Sequence, residues 1–596
     1  MLADIRSLTR LLLLLSATVL LAACGNHDED TASKATAASE DEQEIRRLVD
    51  DYLESFLKTF PTRATAAGDH RADRHLEDFS LERLDAWIAK NREVRDRLAA
   101  LLEDPPDDID LRLDAEATHR RAALTVFRLE TLDAARHDPL FWAAILGRTS
   151  VFLLVRDDLP LDERLDALSE RVGQLPRLCS QAKALLSEGQ PDQVVADKAR
   201  MAAAQVAASA TLYDGGLVTL AESLDGPEAQ NLRERLRKVS GPAAEALRDL
   251  ASMLEALAER ATGEASLGKH YAESFRLGTG LDESPGDVLA RAEADLVAKR
   301  AETAAFCRSI WTDIGDQPMP SDEKQVIRAC FRRIAEDRTE QRAHFVEHYR
   351  QLSEEAHAFV IENEIMTLPG PMTLRVDSAP PYLAGQAVGG VYPSGPFTPE
   401  ADTLLFVPSI PDDTPAEMKL AFYGDFNDHF NVMITPHETS PGHYAQFKLA
   451  ALNSSKTRAI FGNGVYIEGW GTFSERLMLD HGWGTPLARV AHLKKQLENI
   501  ARTIVDIRVH SQGMDRDEML TFLREEAMQD GQFAINMWTR AITSSPQLTT
   551  YYLGYRDIME LYEDWRAENP QGPPKEFSDR MMSLGAVPMK NYRALF

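Results

Sequence analysis

Apolar residues recur at helical spacing over most of this chain, and that periodicity limits the folds open to it. Ile45, Leu48, Val49, Tyr52, Leu53, Phe56 and Leu57 follow the i, i+3, i+4, i+7 pattern of one buried helix face. Similar patterns cover residues 81–102, 114–136, 161–187, 191–222 and 227–262. Ala, Leu, Arg and Glu dominate these stretches, a composition that favours helix over strand. At 596 residues the chain exceeds what one simple core fills, so a split into lobes is expected.

Glycines punctuate the pattern at 263–280 and mark a boundary. Ser284 and Pro285 then supply a cap and a first helical residue. The helix they start is predicted to reach about residue 314, and a second to run from about 321 to 356. Prolines and glycines cluster between 365 and 407, around short β-like runs at 372–376, 386–392 and 403–407. Helical signals resume at Pro415. The expected fold is mainly α, with a small β element near 365–407, an N-terminal helical region over 42–270 and a second region over 271–596.

The first residues read as a targeting segment. Arg6 and Arg10 precede an apolar run at 11–21, too short to span a membrane comfortably. Leu21-Ala22-Ala23-Cys24 resembles a bacterial lipobox, which implies a signal peptide over 1–23 and lipid on Cys24. Gly25 follows, with no aspartate after it, a pattern that resembles lipoproteins sorted to the outer membrane, facing the periplasm. Residues 24–41 lack large apolar side chains and read as a flexible tether. The net charge of −28 repels phosphate backbones, so nucleic acid is not an expected partner. Cys179, Cys307 and Cys330 have no metal-cluster spacing; export permits a Cys307–Cys330 disulfide, and the sequence leaves that pairing open.

Chemistry concentrates in two segments. The first is Thr435-Pro436-His437-Glu438-Thr439-Ser440-Pro441-Gly442-His443. Neutral imidazoles are good zinc ligands, and an adjacent glutamate can serve as base to a zinc-bound water. Histidines six apart lie roughly 120° apart on a regular helix, so a continuous helix cannot aim both at one metal. Pro441-Gly442 is expected to break it. The second segment is Glu468-Gly469-Trp470-Gly471-Thr472-Phe473-Ser474-Glu475, whose two glutamates, seven apart, share a helix face. A helical carboxylate after two histidines can complete a three-ligand zinc site with one position open to water.

HETSPGHYAQ followed by EGWGTFSE resembles the HExxPGHxxQ and EGWxxYxE motifs of domain-of-unknown-function family 885. Further landmarks are PTRATAAGDH near 61, LGKHYAESFRL near 267, the Gly-Gly-Val-Tyr-Pro stretch at 389–393, IRVHSQGMDRDEM at 507–519 and PQLTTYYLG at 546–554. The resemblance implies a two-lobed, zincin-like fold related to gluzincins, with one Zn2+ between the lobes. It makes His437, His443 and Glu468 the ligands, Glu438 the general base and Glu475 a supporting carboxylate. Two departures, Tyr444 where the family often has a second histidine and Phe473 where it has tyrosine, touch no proposed ligand. His510 and Tyr551 are candidate donors to a developing oxyanion, with Tyr552 the rival to Tyr551. Arg508 and Arg540 are candidates for a substrate carboxylate.

The expected activity is zinc-dependent hydrolysis of short peptides by a lipid-tethered envelope protein. Two alternatives stay open: a non-catalytic lipoprotein that binds peptides or cell-wall fragments, and a metal-dependent hydrolase of a non-peptide bond.

Overall fold

The helix expected from residue 42 starts earlier in the computed structural model, which describes residues 39–315, 317–339, 341–378, 389–408, 410 and 414–596. Helix α1 spans Glu40–Thr59, so residues 40 and 41, expected in the tether, are helical. The cause is a capping box: the Ser39 hydroxyl accepts from the Glu42 N–H at 3.1 Å, and the Glu42 carboxylate accepts from the Ser39 N–H at 3.0 Å. The signal segment, Cys24 and the tether up to residue 38 lie outside the described residues.

The architecture is mainly α, with one small three-stranded sheet. Helix α2, Pro227–Arg260, closes the N-terminal region. Helix α3, Pro285–Ser309, ends short of 314, and a separate turn follows at Trp311–Ile314. The helix expected over 321–356 is two, Glu323–Glu336 and Arg342–Glu362. Between them the Asp337 carbonyl accepts from the Asp428 N–H at 2.9 Å and its carboxylate holds His429 at 2.9 Å. Those tertiary contacts hold the interruption in place.

Apolar side chains gather into two cores. One draws mainly on residues from Ile45 to Ala258, the other mainly on residues from Tyr271 to Tyr592. The change falls at the glycine-marked boundary. The sheet forms the seam. Strands β1 (Leu374–Ser378), β2 (Gly390–Tyr392) and β3 (Thr403–Val407) lie in the order β1-β3-β2, with β1 parallel and β2 antiparallel to β3. All five β3 residues are buried. Alternate side chains point to opposite faces of a strand. Leu404 and Phe406 accordingly pack into the first core, and Leu405 and Val407 into the second.

A second junction joins the landmark near residue 61 to the segment after β2. The Phe397 N–H donates to the Ala67 carbonyl at 3.0 Å, and Arg156 donates to the Ala66 carbonyl at 3.0 Å and to the Thr398 hydroxyl. Gly395 has φ +85°, and a Cβ there would stand 2.5 Å from the Ala67 carbonyl carbon, so glycine is needed for the approach. This pins the segment after β2 to the N-terminal lobe.

Candidate metal centre and cleft

Helix α4, Asp428–Glu438, carries His437 and Glu438 at its C-terminal end, and α5, His443–Asn453, begins at the second histidine. The break expected at Pro441-Gly442 therefore occupies residues 439–442. Three contacts shape it. The Gly442 N–H donates to the Pro436 carbonyl at 3.0 Å, and the Trp470 indole N–H donates to the Pro441 carbonyl at 2.8 Å. A Cβ on Gly442 would lie 2.0 Å from the His437 carbonyl oxygen, so only glycine fits. The two imidazoles end 4.6 Å apart, centroid to centroid, nearly perpendicular.

Helix α6, Gly464–Asp480, supplies the carboxylate. Glu468 Oε2 stands 3.6 Å from Nε2 of His437 and 3.6 Å from Nε2 of His443. All three donor atoms lie within 4.8 Å of one another. Tetrahedral zinc with bonds of about 2.0–2.1 Å spaces its donors about 3.4 Å apart. Two imidazole nitrogens and one carboxylate oxygen at this spacing fit that ion.

Glu475, two turns along the same face, is fully buried. Its Oε1 accepts from Nδ1 of His437 at 2.8 Å and its Oε2 from Nδ1 of His492 at 3.0 Å. A metal taking the place of the Nε2 proton would leave Nδ1–H of His437 bonded to Glu475 and its Nε2 lone pair directed at the ion, beside Glu468. The glycines of this segment also have assignments. A Cβ on Gly471 would meet the His437 ring at 2.8 Å, and one on Gly469 would meet the backbone of Gly554 at 2.5 Å. Gly554 lies in α9, Thr550–Glu568, which packs along α6.

Burial disfavours a charged His437, but the carboxylates of Glu468 and Glu475 outweigh it and raise its pKa to about 10. Burial likewise pushes Glu468 up, while His437 and His443 hold it well below the ordinary carboxylate range. The cluster thus favours a positive charge at its centre.

These donors open onto a cavity of about 410 Å³, into which Glu438 also faces. Leu405, Val407 and residues 389–391 form one side, and Phe426, Phe430 and Phe533 an aromatic part. A larger concavity of about 790 Å³ lies on the N-terminal lobe around Arg74 and Asp166. Its charges pair with one another, as in Arg74–Asp166 at 2.7 Å and Arg74–Glu170 at 2.6 Å, and it lacks a donor cluster of this kind.

Of the candidate donors, Tyr551 lines the cleft. Its hydroxyl oxygen accepts from Gln547 Nε2 at 2.9 Å and Arg540 Nη2 at 3.2 Å, and Gln547 Nε2 also reaches Glu468 Oε1 at 3.4 Å. The oxygen accepts both bonds, which leaves its proton to donate. Burial and the nearby Glu468 raise its pKa, against Arg540 and Arg502. Tyr552 instead donates to Asp295 at 2.6 Å.

His510 is placed elsewhere, contrary to expectation. Its Nδ1 accepts from the Leu267 N–H at 3.3 Å, its Nε2 donates to the Ala541 carbonyl at 2.9 Å, and its ring stacks on Tyr271. Both nitrogens are used in holding the end of its helix to Leu267 and Ala541, so it is a structural residue. Arg508 is also outside the cleft, paired with Glu293 at 2.7 Å and lying over Phe522. Arg540 does line it. The departures are harmless: Tyr444 accepts from the Thr373 N–H at 2.8 Å, and Phe473 is packed among Trp470, Tyr562 and Phe577. Cys179, Cys307 and Cys330 are buried free thiols.

Two charged residues of this cleft, Lys495 and Arg502, were not singled out from the sequence. A signal existed: Lys495, Glu498 and Arg502 occur at i, i+3, i+7 on one face of a long helix, α7, Pro486–Gln512.

Two solved structures share the fold. A provisionally designated lipoprotein of unknown function from Shewanella oneidensis is 23% identical, with a TM-score of 0.74 over 94% of this chain and 100% of that one. Another provisionally designated lipoprotein, from Colwellia psychrerythraea, is 15% identical, with a TM-score of 0.76 over 93% of this chain and 99% of that one. No curated protein matches the chain. The family model described as bacterial protein of unknown function (DUF885) matches residues 61–595, so the chain belongs to that family.

Proposed function

We propose that this chain is a zinc-dependent peptidase, tethered to the cell envelope through lipid on Cys24. The observation that carries the reading is the His437, His443 and Glu468 donor set, with Glu438 beside it on one cleft. Bound zinc supplies a Lewis acid that polarises the scissile carbonyl and acidifies the attacking water. Glu438 accepts the proton of that water and passes it to the leaving amine. Tyr551 donates its free O–H to the oxygen on which negative charge develops, while Arg540 and Gln547 hold the phenol in place. Glu475 keeps His437 in the tautomer that can bind metal.

The tether rests on the Leu21–Cys24 motif and on the lipoprotein designation of the two similar structures. No helix among the described residues is long and apolar enough to cross a membrane. Outer-membrane placement facing the periplasm follows from Gly25 and the lack of an aspartate after it. Cys24→Ser should release the protein from membranes.

The deciding experiment pairs zinc analysis with digestion of a peptide library by wild type and Glu438→Gln. The expected result is one zinc per chain in both and cleavage reduced on the order of 10²–10⁴-fold in the variant. Undiminished cleavage by the variant would remove the base role. Lack of stoichiometric zinc in wild type would remove the whole site.

A further inference from the structure

Three cations line the cleft that holds the candidate donors. Lys495 and Arg502 project from α7, and Arg540 from α8, Gly531–Ser544. The Lys495 and Arg502 side chains are only 9% and 6% exposed. Both share one partner: Glu498, at 3.3 Å from Lys495 and 2.6 Å from Arg502. Arg540 has no carboxylate within ion-pair distance among the described residues; its Nη2 donates to the neutral Gln547 side chain at 2.7 Å and to the Tyr551 oxygen. The Nε of Arg502 is buried without a partner.

Among the described residues, one carboxylate, Glu498, is therefore in ion-pair contact with these three cations, and it reaches only two of them. Buried charge is as a rule paired, because desolvation is costly and only a counter-charge offsets it. Glu468 lies against His437 and His443, and Glu438, the other carboxylate on this cavity, makes no ion pair with these cations among the described residues. Among the described residues, Lys495 and Arg502 thus share one carboxylate and Arg540 touches none, on the wall of a cavity open to a ligand.

We propose that Lys495, Arg502 and Arg540 form a receptor for the free C-terminal carboxylate of a peptide, so that the protein removes the last one or two residues of its substrate. This rests on the peptidase reading above. The guanidinium of Arg540 offers the planar fork that matches a carboxylate, and Lys495 adds a point charge. The spacing limits how far the scissile bond lies from the chain end. Arg540 is 3.2 Å from the Tyr551 hydroxyl that faces the reacting carbonyl, and consecutive Cα atoms are about 3.8 Å apart. A carboxylate on Arg540 and a carbonyl at Tyr551 thus belong to adjacent or next-adjacent residues. The aromatic side formed by Phe426, Phe430 and Phe533 offers an apolar surface to the departing side chain.

The test measures binding and cleavage separately. Zinc-loaded, full-length Glu438→Gln protein is titrated with a tetrapeptide, its C-terminal amide, and versions carrying Glu or Gln at an internal position. Wild type is incubated with the same peptides and the products are weighed. The free acid should bind about 10- to 100-fold more tightly than the amide. Adding Arg540→Gln should abolish that preference; adding Lys495→Gln should reduce it, and serves as the second variant if the first loses zinc or helicity. Equal affinity for acid and amide overturns the receptor, even if wild type cleaves both and the peptidase reading stands. A preference that follows the internal Glu also overturns it. Acid-selective binding with no cleavage by wild type keeps the receptor and removes the peptidase reading.

Discussion

Glu475 and His437 share a hydrogen bond of 2.8 Å with neither side chain more than 5% exposed, which fixes one imidazole by a charge that has no access to water. Replacing Glu475 with Gln keeps an acceptor for Nδ1 but removes the charge. Zinc affinity, measured by competition with a chelator, should fall roughly 10–100-fold. Unchanged affinity would mean that Glu475 is only a packing residue.

The two glycines beside Trp470 should fail in different ways when changed to alanine. At Gly471 the added methyl meets the His437 ring, so zinc should be lost while helicity and unfolding temperature stay near wild type. At Gly469 the methyl meets α9 backbone, and overpacking there should cost about 1–3 kcal/mol of stability in urea unfolding. The same phenotype from both would contradict this division.

Tyr551→Phe removes a hydroxyl whose two observed bonds are both accepted from neighbours, so little native hydrogen-bonding depends on its proton. Zinc content should stay at one per chain, and kcat should fall on the order of 10²–10³-fold with little change in KM. A change confined to KM would assign the tyrosine to ground-state binding instead.

Tyr271 bonds Asp506 at 2.7 Å and stacks on His510, and the two partners titrate in opposite senses. Burial raises Asp506 from 3.8 to about 7, against bonds from Tyr271 and Ser545. Burial lowers His510 from 6.5 to about 4, against the Ala541 carbonyl. As pH falls from 7 towards 4, the folded state gains from protonating Asp506. His510 contributes its full share above 6.5 and loses it as pH falls towards 4. Each shift corresponds to on the order of 3–4 kcal/mol, so the two largely offset one another. His510→Gln keeps a donor and an acceptor but removes one side of the balance. Its unfolding free energy, measured with chelator present, should rise relative to wild type as pH drops from 6.5 to 4.5. A constant difference across that range would show that His510 does not titrate between the folded and unfolded states.

The clustering of His437, His443 and Glu468 was legible in the sequence because local spacing encodes it. Two histidines six apart need a break, and Pro441-Gly442 stood between them; Glu468 and Glu475 share a face because seven residues make nearly two turns. His510 and Arg508 were misplaced for a reason of length. Helix α7 passes the cleft at Lys495 and Arg502, and His510 lies eight residues beyond Arg502, about 12 Å along the axis. Nothing in the local sequence says which turn of a long buried helix meets a cleft. The interruption near Asp337 was hidden too, because its supports come from Asp428 and His429, far along the chain. The glycine contacts at 469, 471 and 554 depend on helix pairing, which periodicity does not specify.

Strand β3 has a consequence for anyone redesigning this protein. Because Leu404 and Phe406 belong to one core and Leu405 and Val407 to the other, the halves meet along a shared backbone rather than across a separable surface. A fragment limited to residues 271–596 would carry Leu404 and Phe406 with nothing to cover them, and should aggregate. A substitution at Leu405 intended to widen the cleft would shift its two neighbours in the opposite core. Altered selectivity is therefore better sought at Phe426, Phe430 and Phe533, where a change is answered on one side only.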